Sequence, residues 1–187
     1  MAVRFAGNAP RGIEKKLEDW AFIIQEASRS AQAGNTDLAL SEGYQVRFLS
    51  VDQISKGDLF DTCVSRCWRY LVLAGNHALG EIEIDDDLKP VAFYEGPGKD
   101  GLLEALEVAH QLEGQYKAVV LMAPALKFVA ICLRSQGKEL IIPYSPSITP
   151  LQNLAVVPAE DAIKVLRPAA QEVKRAYSGD EDEPQGG

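Results

Sequence analysis

Between residues 12 and 33 the apolar side chains Ile13, Leu17, Trp20, Ile24, Ala27 and Ala31 recur at intervals of four and three, the stripe of an amphipathic helix. Gly34 and Asn35 supply its stop. The spacing is close to a coiled-coil seam but lasts under three heptads, so the helix is expected to pack on its own sheet. A dimer formed through it is the other outcome. From Tyr44 the period drops to two, with Val46 and Phe48 alternating against Gln45 and Arg47 as in a half-buried strand. Residues 50–57 read as a short helical turn closed by glycine.

Further along, residues 66–73 and 80–84 predict two antiparallel strands, and residues 91–94 a third after the turn at Asp85, Asp86 and Asp87. Leu102, Leu103, Leu106 and Ala109 or His110 predict a second helix, with Asp100 as N-cap and Gly114 as stop. Strand-like runs follow at 116–122, 126–134 and 139–142, the last two joined by a turn at 135–138. The prolines at 143, 146, 150 and 158 predict an extended surface connector. Pro158, Glu160 and Asp161 then open a third helix with the buried stripe Ile163, Leu166, Ala170, Val173 and Tyr177. Pro168 should kink it near Arg167.

This order predicts an α+β fold, with an antiparallel, meander-type sheet of about five to seven strands and three helices packed on it. Residues 1–11 read as an irregular lead-in, 12–178 as one domain and 179–187 as a disordered acidic tail. The apolar fraction of 47% is enough for a sizeable core, and no apolar run approaches the roughly 20 residues that cross a bilayer. A secretory leader pattern is missing from the first residues, and Cys63, Cys67 and Cys132 are too few and too odd in number for a disulfide scaffold. A cytoplasmic location is the expectation.

The net charge of −8 changes the picture less than its size suggests. Asp180, Glu181, Asp182 and Glu183 supply half of it, and no Lys/Arg-rich stripe is visible, so neither nucleic acid nor a membrane is an expected partner.

Candidate chemistry is sparse. Gly96, Gly98, Lys99 and Gly101 lie between a strand and a helix, where free amides and the helix dipole could hold an anion. A P-loop, however, needs Ser or Thr after its lysine, and here Asp100 follows Lys99. Cys63 and Cys67 are four apart, and with Cys132, His77 and His110 they match no zinc pattern. Cys63 or Cys67 with His77 and Asp61 could be drawn as a nucleophile and base, but no flanking signature accompanies them. Glu81, Glu83, Asp85, Asp86 and Asp87 offer oxygen ligands without EF-hand spacing. Glu81 and Glu83 are expected to face solvent while Ile82 and Ile84 face the core. Tyr144, Ser145, Ser147 and Thr149 could form a docking segment, or simply a connector.

With no catalytic set, metal site or cofactor implied, the expected function is a non-enzymatic binding or assembly module, with a protein partner or a second copy of itself as partner. The competing reading is a small-molecule- or anion-binding protein or enzyme with a pocket beside Gly96, Gly98, Lys99 and Gly101.

Overall fold

The computed structural model describes residues 2–7, 9–10, 12–13, 20, 38–57, 63–64 and 67–178. The central strand is β8 (Gln115–Ala123), buried without alternation from 118 to 121, as expected of a strand covered on both faces. One edge of it pairs antiparallel with β9 (Phe128–Ser135), which continues to β10 (Lys138–Pro143) and β11 (Val157–Pro158). The other edge pairs in parallel with β1 (Ala2–Phe5) along its first half and with β3 (Val46–Phe48) along its second. Beyond β3 lies β4 (Cys63–Val64), which completes a seven-stranded sheet among the described residues. A second, four-stranded antiparallel sheet has the order β2 (Leu38–Leu40), β5 (Trp68–Ala74), β6 (His77–Ile84), β7 (Pro90–Tyr94).

The α+β class therefore holds, whereas the single antiparallel meander is replaced by two sheets, the larger of them mixed. Alternation fixes which face a side chain takes. It does not say which strand lies alongside, or in which direction. Residues 2–5, read as irregular, form β1: Val3 and Phe5 alternate with Arg4 and face the core.

Three helices lie among the described residues. Helix α1 (Val51–Lys56) is capped reciprocally, Ser50 Oγ accepting from the Gln53 amide and Gln53 Oε1 from the Ser50 amide, and it ends on Gly57 in the left-handed region (φ 84°). Helix α2 (Pro97–Gln111) starts earlier than expected, with Gly96 at its N-cap and no side-chain cap. Asp100 is thus in the first turn and not the cap. Helix α3 (Ala159–Ser178) passes through Pro168 without interruption. Pro168 and Lys164 are both exposed, so water can take the carbonyl bond that the proline cannot return. The buried stripe of α3 ends at Val173, and Tyr177 is 78% exposed. Of the first expected helix only Gly12, Ile13 and Trp20 are described, and the acidic tail lies outside the described residues.

Three apolar clusters hold these layers together. The first lies between the two sheets around α2, where Leu102, Ala105 and Ala109 meet Val120, Ile131, Leu133 and Ile142 of the larger sheet and Leu71 and Ala78 of the smaller. The second packs α3 and α1 on the outer face of the larger sheet through Leu166, Ala162, Ile54, Phe128 and Leu121. The third joins Ile13 and Trp20 to Tyr70, Val72, Ile82 and Ile84 on the far face of the smaller sheet.

Segment 38–48 ties the sheets. It leaves β2, exchanges both backbone bonds between Tyr44 and Arg69 of β5 (2.9 and 2.8 Å), and enters the larger sheet as β3. The 3-10 turn Pro124–Leu126 delays β9 to Phe128, two residues after the expected start. The connector after β10 lacks regular structure as far as β11, but Tyr144 and Leu151 within it are buried.

Candidate functional site

The register of four adjacent strands sets Arg4 opposite Lys117, Lys117 opposite Arg134, and Arg134 opposite Glu139. Partners in a register share a face, and two residues farther along each strand that face turns apolar: Val119, Cys132 and Ile141 lie there beneath α3. The row is what that face becomes at the end of the strands. Like charges directly across from one another are unfavourable in a sheet, yet three cations stand side by side here. Among the described residues Arg134 alone of the three is in an ion pair, with Glu139 at 2.9 Å.

All three cations line one open groove of about 1160 Å³, with Phe5, Glu42 and Gln115 also in its wall. Glu42 Oε2 accepts from the Phe5 amide at 3.2 Å, which fixes this acid to β1 beside the row. The lining thus carries three cations against one anion. Sequence reading missed this site. Arg4 falls in the stretch read as irregular, Lys117 and Arg134 in separate strand-like runs, and only the pairing of β8 with both β1 and β9 assembles them.

A second polar cluster sits between the sheets. Glu81 and Glu83, expected in solvent, lie on the face of β6 that turns toward the larger sheet, while Ile82 and Ile84 fill the core on the other side. Both faces of β6 are covered, so Ile82 and Ile84 are buried and the two acids half-buried. Arg69 answers the two acids: its Nε donates to Glu83 at 2.8 Å, a terminal nitrogen stands 3.5 Å from Glu81, and the guanidinium lies 4.5 Å above the Tyr94 ring. Tyr94 Oη donates to Glu83 at 3.1 Å. Burial raises the Glu81 pKa, and the Arg69 charge opposes the rise. Burial also raises the phenols of Tyr44 and Tyr144, and the nearby Glu81 charge adds to it. The buried Tyr44 hydroxyl faces the Glu81 carboxylate. This cluster ties the smaller sheet to Tyr44 of the crossing segment.

The other candidates are scattered. Gly96, Gly98, Lys99 and Gly101 fall at the start of α2, but the Lys99 ammonium donates to the Ala78 carbonyl at 2.7 Å and stands 3.4 Å from Asp100. Gly101 packs on the connector backbone: a Cβ there would lie 2.3 Å from the Ser145 oxygen. Packing therefore accounts for this glycine. Asp85 Oδ1 accepts from the amides of Asp87 and Lys89 at 3.0 and 2.9 Å, closing the turn before β7. Cys132 is buried, its thiol pushed up to about 12 chiefly by that burial. Burial raises Cys67 too. Asp61 and the Cys63 side chain lie outside the described residues. His77 is exposed at the start of β6, and His110 Nδ1 donates to the Leu106 carbonyl at 2.7 Å. Among the described residues no group of three or more His, Cys, Asp or Glu is placed to hold a metal ion, and no helix is long and apolar enough to cross a membrane. In the connector, Ser147 Oγ and Thr149 Oγ1 are buried without partners.

Comparison with protein-family models, with curated proteins and with solved structures finds no match to this chain.

Proposed function

We propose that this chain is a non-enzymatic binding module that holds a small organic polyanion, such as a phosphate ester, against Arg4, Lys117 and Arg134. The reading is carried by one observation: three cations in a single cross-strand row, one of them neutralised by Glu139. Neighbouring strands are about 4.8 Å apart, so the row spans about 10 Å of backbone, a length suited to two or three linked anionic groups. Two guanidinium forks and an ammonium offer the donors that phosphate or carboxylate oxygens accept. A bound polyanion would also relieve the repulsion that the register imposes on the free protein.

The test is a thermal-shift titration with orthophosphate, pyrophosphate and tripolyphosphate at constant ionic strength. A ligand at 100 times its dissociation constant adds about 2.7 kcal/mol, or about 5–10 °C in a chain of this length. Pyrophosphate or tripolyphosphate should raise the melting temperature, and Lys117→Gln should abolish the rise while leaving the unliganded protein equally stable or more so. Equal shifts in the wild type and in Lys117→Gln would refute the assignment to this groove.

A further inference from the structure

The basic row is bounded by an acid at each end. On one side Glu139 of β10 stands opposite Arg134 in the register and pairs with it at 2.9 Å. The other end follows from the backbone of β1. Ala6 donates its amide to the Ala118 carbonyl at 2.8 Å, and successive amides of a strand point to opposite edges, so the Phe5 amide points away from β8. Glu42 Oε2 accepts from that amide at 3.2 Å, which places this carboxylate beyond Arg4 in the wall of the same groove. Across the strands the charges therefore run Glu42, Arg4, Lys117, Arg134, Glu139, three cations between two anions.

Resting on the polyanion reading of this groove, we infer that Glu42 and Glu139 set the length of the ligand: the row takes a short oligoanion of two or three linked phosphates or carboxylates and turns away a longer polyanionic chain. The three cations span about 10 Å of backbone. A ligand within that span meets donors alone, whereas a chain running on along the row lays its next anionic group over a carboxylate at either end. Both carboxylates are held in place, Glu42 by the Phe5 amide and Glu139 by Arg134 Nε. A basic strip without such ends behaves differently, since it gathers affinity with each phosphate it neutralises. The two acids lie at the surface, where salt screens them, so each changes affinity by up to about fivefold.

Isothermal titration calorimetry of the full chain at constant ionic strength tests the limit, with pyrophosphate, tripolyphosphate and a linear polyphosphate of about ten units, longer than the row, as probes. In the wild type the affinity should rise from pyrophosphate to tripolyphosphate and rise no further for the long chain. Glu42→Gln should strengthen the long chain about fivefold and pyrophosphate by less than about twofold. Glu42→Gln combined with Glu139→Gln should bind the long chain about tenfold tighter than the wild type does. Glutamine keeps an acceptor for the Phe5 amide and for Arg134 Nε, so both variants should retain the fold, which circular dichroism and the melting temperature check. An affinity that keeps climbing with chain length in the wild type, or a length limit unchanged in the doubly substituted chain, would overturn the role of the two acids while the short phosphates still bind the row. A wild type that binds neither pyrophosphate nor tripolyphosphate saturably would overturn the length limit together with the polyanion reading.

Discussion

Replacing Arg69 by methionine keeps most of its aliphatic stem and removes the guanidinium that stands between Glu81 and Glu83. Arg69 is 13% exposed at its side chain, and the two acids 13% and 14%, so the variant leaves two carboxylates in a nearly dry site. Deleting one partner of a buried ion pair costs about 3–5 kcal/mol, and the residual exposure here places the loss near 3. The melting temperature should fall by about 6–12 °C. The pH dependence gives the sharper test. Burial raises the pKa of Glu81 in the folded state, so its favourable contribution is present below the unfolded value of about 4.3 and is lost as pH rises through the folded value. Arg69 opposes that rise, and without it the folded pKa climbs further and the loss deepens. The deficit of Arg69→Met should thus be small near pH 4 and full at pH 7. Urea unfolding at the two pH values measures it, and adding Glu81→Gln should return at least about 1 kcal/mol at pH 7. A deficit within the roughly 0.5 kcal/mol of an ordinary surface change, or one equally large at pH 4, would refute the reasoning.

Gly101→Ala sets two effects against each other: alanine favours a helix interior by about 1 kcal/mol, but its Cβ would lie 2.3 Å from the Ser145 carbonyl oxygen. Overpacking against backbone costs about 1–3 kcal/mol, so a net loss is expected in calorimetry, and a gain in stability would contradict the packing described for α2. Cys132, with its thiol at about 12, should resist iodoacetamide at pH 8 in the native protein and react once the chain is unfolded, which mass mapping of the labelled cysteines would show. Leu166→Ala removes a buried anchor of α3 and should cost about 2–5 kcal/mol in urea unfolding; a loss under 1 would mean that the helix contributes little to the second cluster.

Much of the fold was legible in the chain, because local patterns report local structure. The 3.6-residue stripe of α3, the glycine stop after α1 and the strand-like runs at β5, β6, β8, β9 and β10 all lie close to where they were expected. What failed were statements about partners. Glu81 and Glu83 alternate with Ile82 and Ile84 as they would on a sheet with one wet face, and the pattern does not reveal that a second sheet covers the acids. Arg69 was the available signal, since a cation in an otherwise apolar run suggests a buried counter-charge. Asp100 satisfies the rule for a cap, yet Pro97 suits the first helical position and moves the start forward. The candidate site was illegible for the same reason. Arg4, Lys117 and Arg134 are far apart in sequence, each beside apolar neighbours, and only the register of β1, β8 and β9 sets them in line. Glycines in a strand-to-helix turn drew attention instead, and the geometry explains Gly101 by the close approach of the connector.

The most direct measurement is an amide chemical-shift titration of the isotopically labelled chain with pyrophosphate at constant ionic strength. If the basic row is the seat of the ligand, the saturable shifts will cluster at residues 4–7, 115–117 and 134–136. They will disappear in Lys117→Gln, while the amides of Gly96, Gly98, Lys99 and Gly101 stay in place. Shifts centred on those four residues, or none that saturate, would contradict the assignment.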